Sequence, residues 1–547
     1  MKSKILILAF FLGSVTFPTN AQVVINEISA ANFSGGGTVD NYGDYEDWIE
    51  LYNTSATPFD LGGYYLSDND LEPMKWEVPA GVTVPANGYL VIYASGRDEF
   101  IGGVAHTSFK ITQAKQEGAV LSDPAGTIID SYLLLTPNQT YHSRGRTTDG
   151  ASSWSIFTTP TPGAANANAR EEYPEVSIDT EPGFYNGSVT VSITGSTALN
   201  DIHYTTDGST PTAASPLYTA PININTTTVL RARAISNAPN TPPGFIVTNT
   251  YFVNVSHDIS VVSISGDQIE VLVNGSQIEP IGNFELFDKN GVFLTETGGD
   301  FNEHGNDSWA YDQRGVDYIT QDEFGYGNEL NYPIFQGKDR DGYQRLIMKA
   351  AASDNYPFED GGAHIRDGFV QSLSQVADLR LDERSYEPCV MYVNGQYWGL
   401  YEMREKVDDL DFTDHYYDQG SGDVDFLKTW GGTWEEYGSG DDWDDLRDFI
   451  LGNDMTDQAN YDYVKGLYNT GSLIDYFILN SYTVCSDWLN WNTGWWRGRN
   501  PDGDKKKWRY ILWDMDATFG HYVNFTNIPD QTANADPCDP ESLGNPG

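Results

Sequence analysis

The sequence predicts a multidomain protein in which two all-β sandwiches precede an α+β domain. Its 547 residues suit several domains, because a domain typically holds about 100–200 residues. Short β-rich runs separated by turn residues fill the first part, as a sandwich requires. Towards the C-terminus tryptophans become dense and helical periodicity appears. We expect a signal peptide at 1–21, sandwiches at 22–166 and 173–256, a linker at 167–172, and the α+β domain at 257–547.

The composition excludes several classes of protein. With 31 Lys and Arg against 78 Asp and Glu, the formal net charge is −47, which repels nucleic-acid backbones. The same charge favours divalent cations held by carboxylates. A hydrophobic fraction of 39% is too high for a disordered acidic chain. The three cysteines, Cys389, Cys485 and Cys538, cannot form a disulfide framework.

The first 21 residues are typical of a secretory signal. Lys2 and Lys4 precede an apolar stretch, and small residues end at Ala21. The stretch is shorter than the roughly 20 residues that a membrane span needs. We therefore expect an exported protein, secreted or at the cell surface, with no transmembrane span.

The first predicted sandwich contains strand-like runs bounded by turns. Residues 23–28 and 47–52 resemble strands, and Gly62 and Gly63 mark a turn. The motifs at 25–28, 47–53, 61–68, 75–76 and 88–91 resemble those of the lamin tail domain family. The resemblance implies an immunoglobulin-like accessory sandwich.

The second predicted sandwich is smaller and contains no tryptophan. Residues 202–211 (Ile-His-Tyr-Thr-Thr-Asp-Gly-Ser-Thr-Pro) resemble the signature of the chitobiase/hexosaminidase C-terminal module. That family implies a fibronectin-like fold. The absence of a tryptophan platform favours a spacer over a sugar binder, and glycan contact through the β modules stays open as an alternative.

The third region contains helical and hairpin patterns. Residues 365–379 place Ile365, Phe369, Leu373 and Val376 on one stripe, and residues 472–482 repeat this spacing. Between them, Asn394 and Gly395 join two β-rich runs, which is a strong signal for a type I′ hairpin turn. A second hairpin is predicted around residues 500–503.

Two polar clusters in this region could carry chemistry. Asp487 and Asn492 lie five positions apart, and an apolar run delivers Asp514 and Asp516 just before a Phe-Gly pair. Protein kinases use an Asp and an Asn at that spacing, followed by a metal-binding Asp before Phe-Gly. Hard oxygen ligands of this kind suit Mg²⁺ or Mn²⁺.

The third region as a whole resembles the CotH kinase family of spore-coat-type atypical protein kinases. The matching motifs are residues 346–349, 353–355, 364–367, 392–401, 404–406, 487–492 and 513–520. The resemblance implies a divergent protein-kinase-like fold that binds ATP with Mg²⁺ or Mn²⁺ and phosphorylates Ser or Thr of a protein. It makes Asp487 the catalytic residue and Asn492 a metal ligand, together with Asp514 or Asp516, between which the sequence does not choose.

The cation that contacts phosphate is less clearly marked. Lys349, at the end of a predicted strand, is one candidate, and Glu405 would orient it. Arg366, near the start of a predicted helix, is another. No G-x-G-x-x-G motif covers the phosphates, and we expect the domain to be C-terminally incomplete at Gly547.

Alternatives from other classes remain open. The protein could be a cell-surface adhesion or scaffold protein with a non-catalytic kinase-like fold, associated with glycans. The acidic stretch at 420–450 could bind Ca²⁺ or a basic substrate, although a solvated insertion is favoured.

Overall fold

The computed structural model describes residues 22–305, 309, 311–355, 362–420, 422–485, 487–488 and 491–521. The predicted signal peptide, Cys538 and the end of the chain lie outside these residues. The described part is largely β, and its α-helices all lie after residue 268. None of the described helices is long and apolar enough to cross a membrane. Cys389 and Cys485 are buried free thiols.

Two main sheets enclose the first apolar core. The larger has the order β13-β12-β1-β2-β7-β9-β8, the smaller β11-β10-β4-β5, and β3 pairs with β6. Ile49 from the larger sheet and Leu121 from the smaller one belong to the same buried cluster. The strands are β1 (Val23–Ser29), β2 (Asp47–Asn53), β3 (Phe59–Asp60), β4 (Tyr65–Ser67), β5 (Trp76–Glu77), β6 (Thr83–Val84), β7 (Tyr89–Ala94), β8 (Glu99–Ile101), β9 (Val104–His106), β10 (Gly118–Ser122), β11 (Ile128–Leu133), β12 (Ser143–Arg146) and β13 (Trp154–Phe157).

A second, smaller group of strands follows. Its main sheet has the order β15-β21-β20-β18, and two strand pairs, β14-β17 and β16-β19, close its core around Leu230 and Tyr251. The strands are β14 (Ser177–Ile178), β15 (Gly183–Tyr185), β16 (Val189–Val191), β17 (Ile193–Thr194), β18 (Asn200–Thr205), β19 (Ile222–Ile224), β20 (Thr228–Ser236) and β21 (Ile246–Val253).

The third region begins with a closed barrel of seven strands in the order β22-β23-β24-β25-β28-β30-β29. Alternation along the strands sends Phe284, Met348 and Tyr401 into the barrel core, and their neighbours outward. The strands of this part are β22 (Ser260–Ser265), β23 (Ile281–Phe287), β24 (Phe293–His304), β25 (Gly315–Thr320), β26 (Leu330–Asn331), β27 (Gly342–Tyr343), β28 (Arg345–Lys349), β29 (Tyr386–Val393) and β30 (Gln396–Glu405).

A helical part with a four-stranded sheet of order β32-β31-β33-β34 completes the described chain. Its strands are β31 (Val424–Thr429), β32 (Thr433–Tyr437), β33 (Thr493–Gly498) and β34 (Arg509–Leu512). The α-helices of the third region are α1 (Ile269–Val273), α2 (Arg366–Val376), α3 (Leu410–Tyr417), α4 (Asp441–Gly452), α5 (Gln458–Leu467) and α6 (Thr470–Tyr482).

Several local predictions are confirmed. Helices α2 and α6 match the periodic segments 365–379 and 472–482. Asn394 and Gly395 connect β29 to β30 with φ of 48° and 81°, both in the left-handed region that a type I′ turn needs. The hairpin around 500–503 joins the antiparallel strands β33 and β34.

The apolar stripe of α2 does not face the core. Phe369 is 51% exposed and Val376 87% exposed, whereas Asp367 and Gln371 are buried. The inward face of this helix is polar because Asp367 meets buried cations of the barrel wall.

A buried carboxylate joins the second group of strands to the barrel. Glu285 of β23 is fully buried and accepts hydrogen bonds from the backbone N–H (2.9 Å) and the hydroxyl of Thr250 on β21. Burial raises the pKa of Glu285 to about 8, and its hydrogen bonds to Thr250 only partly oppose this. At neutral pH the carboxyl is therefore mostly protonated in the folded protein and ionised in the unfolded chain.

This difference makes stability depend on pH. The folded chain holds a proton that the unfolded chain releases, so stability from this group falls as pH rises from about 5 to about 8. We expect Glu285→Gln to remove that dependence. The free energy of unfolding of the variant minus that of the parent protein should then rise by about 1.4 kcal/mol for each pH unit across this window. Denaturant unfolding at several pH values measures the difference, and a constant difference would contradict the assignment.

Candidate active site

Lys349 lies at the end of β28, on the outer wall of the barrel. Its Nζ is 2.6 Å from Asp367 Oδ2 of α2 and 2.6 Å from Asp514 Oδ1, which follows β34. The residue is only 4% exposed. Burial disfavours the charged ammonium, but the carboxylates of Asp367 and Asp514 outweigh this and raise the pKa of Lys349.

The expected partner of Lys349, Glu405, lies on the other face of the sheet. In the register of β28 with β30, Lys349 is opposite Glu402, whereas Glu405 is opposite Leu346. Side chains three positions apart on a strand point to opposite faces, so Glu405 cannot reach Lys349. The prediction that Glu405 orients Lys349 is therefore wrong.

Glu405 instead belongs to a separate buried network. Its carboxylate accepts hydrogen bonds from Tyr416 (3.0 Å) and Ser385 (2.9 Å), and it lies 3.4 Å from an Arg340 nitrogen. The carboxylate that holds Lys349 is Asp367. Asp367 belongs to the motif at 364–367, but nothing in that motif predicts that its carboxylate contacts Lys349.

Asp367 is fixed from several sides. It accepts hydrogen bonds from Gln371 (3.2 Å) and from the backbone N–H of Met515 (3.2 Å), and lies 3.2 Å from an Arg404 nitrogen. Burial opposes its charge, but Arg404 and Lys349 hold the pKa of Asp367 well below its usual range. The first turn of α2 is thus tied both to the barrel and to the segment after β34.

Arg366 is already paired with Asp354. Asp354 also accepts the backbone N–H groups of Ala363 (2.7 Å), Ile365 (3.0 Å) and Arg366 (2.9 Å). This arrangement fixes the chain where it enters α2. The structure therefore gives Arg366 a positioning contact, and Lys349 is the cation that lies among the predicted acidic site residues.

Asp514 and Asp516 have different surroundings. The side chain of Asp514 is 27% exposed, and its carboxylate meets Lys349. Asp516 is 3% exposed and accepts the backbone N–H of Ser353 at 3.0 Å. Burial, and next the repulsion by Asp514, raises the pKa of Asp516 well above its usual value.

Asp487 and Asn492, which lie five positions apart in the chain, contact each other. Asn492 Nδ2 donates to Asp487 Oδ2 at 2.7 Å. The charges of Asp487, Asp516 and Asp514 all act on the buried thiol of Cys485, whose pKa is raised chiefly by burial. The two clusters of the sequence therefore meet around one point of the fold.

The backbone around this point is strained. Six of the 16 non-glycine residues with positive φ in the described chain lie here: Ala351, Ala352, His364, Val484, Asn492 and Phe519. Val484, at φ 52°, is the most unusual because a β-branched side chain rarely adopts this conformation. Strain of this kind concentrates at functional sites, because the surrounding structure must hold it.

The donor set fits a divalent cation that is shared with a ligand. Among the described residues no three His, Cys, Asp or Glu side chains form a group that could hold a metal alone. Mg²⁺ is often held by one or two carboxylates together with substrate phosphates. The adjacent carboxylates of Asp514 and Asp516 repel each other, which a cation would relieve, and Asn492 can add its amide oxygen.

Comparisons with known families agree with the order of the three regions. Residues 16–134 match the lamin tail domain family, residues 180–245 the chitobiase/beta-hexosaminidase C-terminal domain, and residues 319–543 the CotH kinase protein family. A search of curated proteins finds no match. Three successive segments of the chain thus match three different families, in the order lamin tail domain, chitobiase/beta-hexosaminidase C-terminal domain and CotH kinase protein.

Proposed function

We propose that the chain is an exported atypical kinase that transfers the γ-phosphate of ATP to Ser or Thr of a protein outside the cytoplasm. The single observation that carries the proposal is the buried Lys349, held by Asp367 and Asp514 beside the linked pair Asp487 and Asn492. The CotH kinase family match supports a phosphotransferase in general terms. The proposed kinase-like fold, the export through residues 1–21, the immunoglobulin-like accessory modules and the Ser/Thr acceptor are part of this proposal.

Each residue has a proposed task. Lys349 binds phosphate oxygens, and Asp367 keeps its ammonium charged and in place. A ligand approaching from solvent meets Asp514 first, since Asp514 is the more exposed partner of Lys349. A divalent cation held by Asp514, Asp516 and Asn492 would neutralise charge on the phosphates.

Asp487 is the proposed catalytic residue. Its carboxylate accepts the proton of the acceptor hydroxyl, whose oxygen bonds to the γ-phosphorus while the bond to the bridging oxygen of ADP breaks. Asn492 donates to one carboxylate oxygen of Asp487 and so fixes its direction.

Replacing Asp487 tests the chemical step. We expect Asp487→Asn to lower phosphate transfer by about 10²–10⁴-fold, the usual contribution of a positioned acid or base, while nucleotide binding persists. Transfer from γ-labelled ATP to the chain itself and to extracytoplasmic proteins is the measurement. Asp502→Asn, in the exposed hairpin turn, is the control. Unchanged transfer by Asp487→Asn would contradict the assignment.

A pair of buried carboxylates tests the positioning of Lys349. We expect Asp367→Asn to raise the KM for ATP, because Lys349 and Arg404 lose their shared anion. Glu405→Gln should leave that KM unchanged, because Glu405 is equally buried but faces the other way. Thermal unfolding of both variants controls for loss of structure. If only Glu405→Gln raised the KM for ATP, Glu405 and not Asp367 would be the residue that positions Lys349.

Nucleotide binding separates this proposal from its alternative. If calorimetry with Mn²⁺ and millimolar ATP detects no binding to the folded chain, the non-catalytic adhesion or scaffold function is favoured. In that case the ion pairs of Lys349 serve only to hold α2 against the barrel.

A further inference from the structure

A cleft lies between the second group of strands and the barrel, away from the candidate active site. Its volume is about 420 Å³, within the usual range for small-molecule sites. One wall comes from β20 and β21, and the other from β23, β24 and the residues after β22.

Arg231 of β20 lines this cleft, and within the described part of the chain its hydrogen bonds go to neutral groups. It is only 6% exposed. Nε donates to the Thr248 hydroxyl (3.3 Å) and Nη1 to the carbonyl of Gly208 (2.8 Å), and Nη2 donates to no described residue. Burial lowers the pKa of Arg231. The cleft therefore offers Nη2 as a donor that a ligand could use, on a guanidinium that Thr248 and Gly208 already hold in place.

The remaining lining combines donors, acceptors and one aromatic ring. Asn283 and Thr248 are each 6% exposed and supply an amide and a hydroxyl. Tyr326 packs on Gly298, where a Cβ atom would lie 2.6 Å from the ring. At the mouth, Asp267 accepts the backbone N–H of Thr210 at 2.5 Å.

We propose that this cleft binds one saccharide unit of a glycan, with Arg231 as its central hydrogen-bond donor. A sugar ring carries hydroxyls that both donate and accept, and its apolar face can contact an aromatic ring. The guanidinium and amide donors at the floor and the carboxylate acceptors at the mouth complement such a molecule. The second group of strands would then anchor the barrel domain to a polysaccharide.

Charge favours a hydroxyl-rich ligand over a simple anion. Asp267 and Glu279 line the same cleft, and the whole chain carries a net charge of −47. A phosphate or a free carboxylate would gain Arg231 but meet both acidic side chains. Sugar hydroxyls can donate to these carboxylates instead.

Calorimetry of the full chain with three tetrasaccharides tests the proposal. The probes are built from glucose, N-acetylglucosamine and galacturonic acid units. We expect at least one of the two neutral probes to bind, and Arg231→Gln to weaken that binding by at least about tenfold, because it removes charged hydrogen-bond donors. Binding of the galacturonic acid probe alone would contradict the proposal, because the cleft would then select an anion. Arg233→Gln is the matched control, since Arg233 is on the same strand and face but does not line the cleft.

A second variant keeps the test decisive if Arg231→Gln does not fold. Asp267→Asn keeps a side-chain oxygen for the N–H of Thr210 but removes the negative charge of an exposed acceptor at the mouth, and we expect it to weaken binding by about fivefold. Failure of all three probes to bind at millimolar concentrations overturns the proposal. So does binding that is unaffected by the folded variants. Neither result bears on phosphate transfer, which is measured separately.

Discussion

The arrangement of the C-terminal region depends on the buried charge of Lys349. An ammonium taken out of water costs several kcal/mol unless carboxylates compensate for it. Here the compensation comes from Asp367 on α2 and from Asp514 after β34. The fold is therefore stable only when the barrel wall, helix α2 and the segment after β34 come together. The same ion pairs bring Asp514, whose side chain is 27% exposed, to the side from which a ligand would approach.

Local features of this region could be predicted from the sequence because short-range physics determines them. Asn394 and Gly395 form the predicted turn, since few other residues adopt positive φ twice in succession. The contact between Asp487 and Asn492 also follows from a short spacing. Lys349 and Asp514 were both selected from the sequence, although 165 residues separate them.

The remaining features depend on long-range geometry. Whether Glu405 or Glu402 faces Lys349 is decided by the register between β28 and β30, and a shift of one residue would reverse it. The polar inward face of α2 likewise follows from the cations that it meets and not from its own apolar pattern. Barrel closure could not be predicted either, because it requires β22 to pair with both β23 and β29.

The region upstream of the family match contributes to the domain that carries the site. The CotH kinase match begins at residue 319, within β25, yet the barrel needs β22, β23 and β24 to close. Those strands also provide Glu285, which bonds to Thr250 of the second group of strands. The wall that holds Lys349 is therefore continuous with the wall that contacts the second group of strands. Because a closed barrel has no free edge strand, Lys349 on β28 and Glu285 on β23 are held in the same hydrogen-bonded ring of strands.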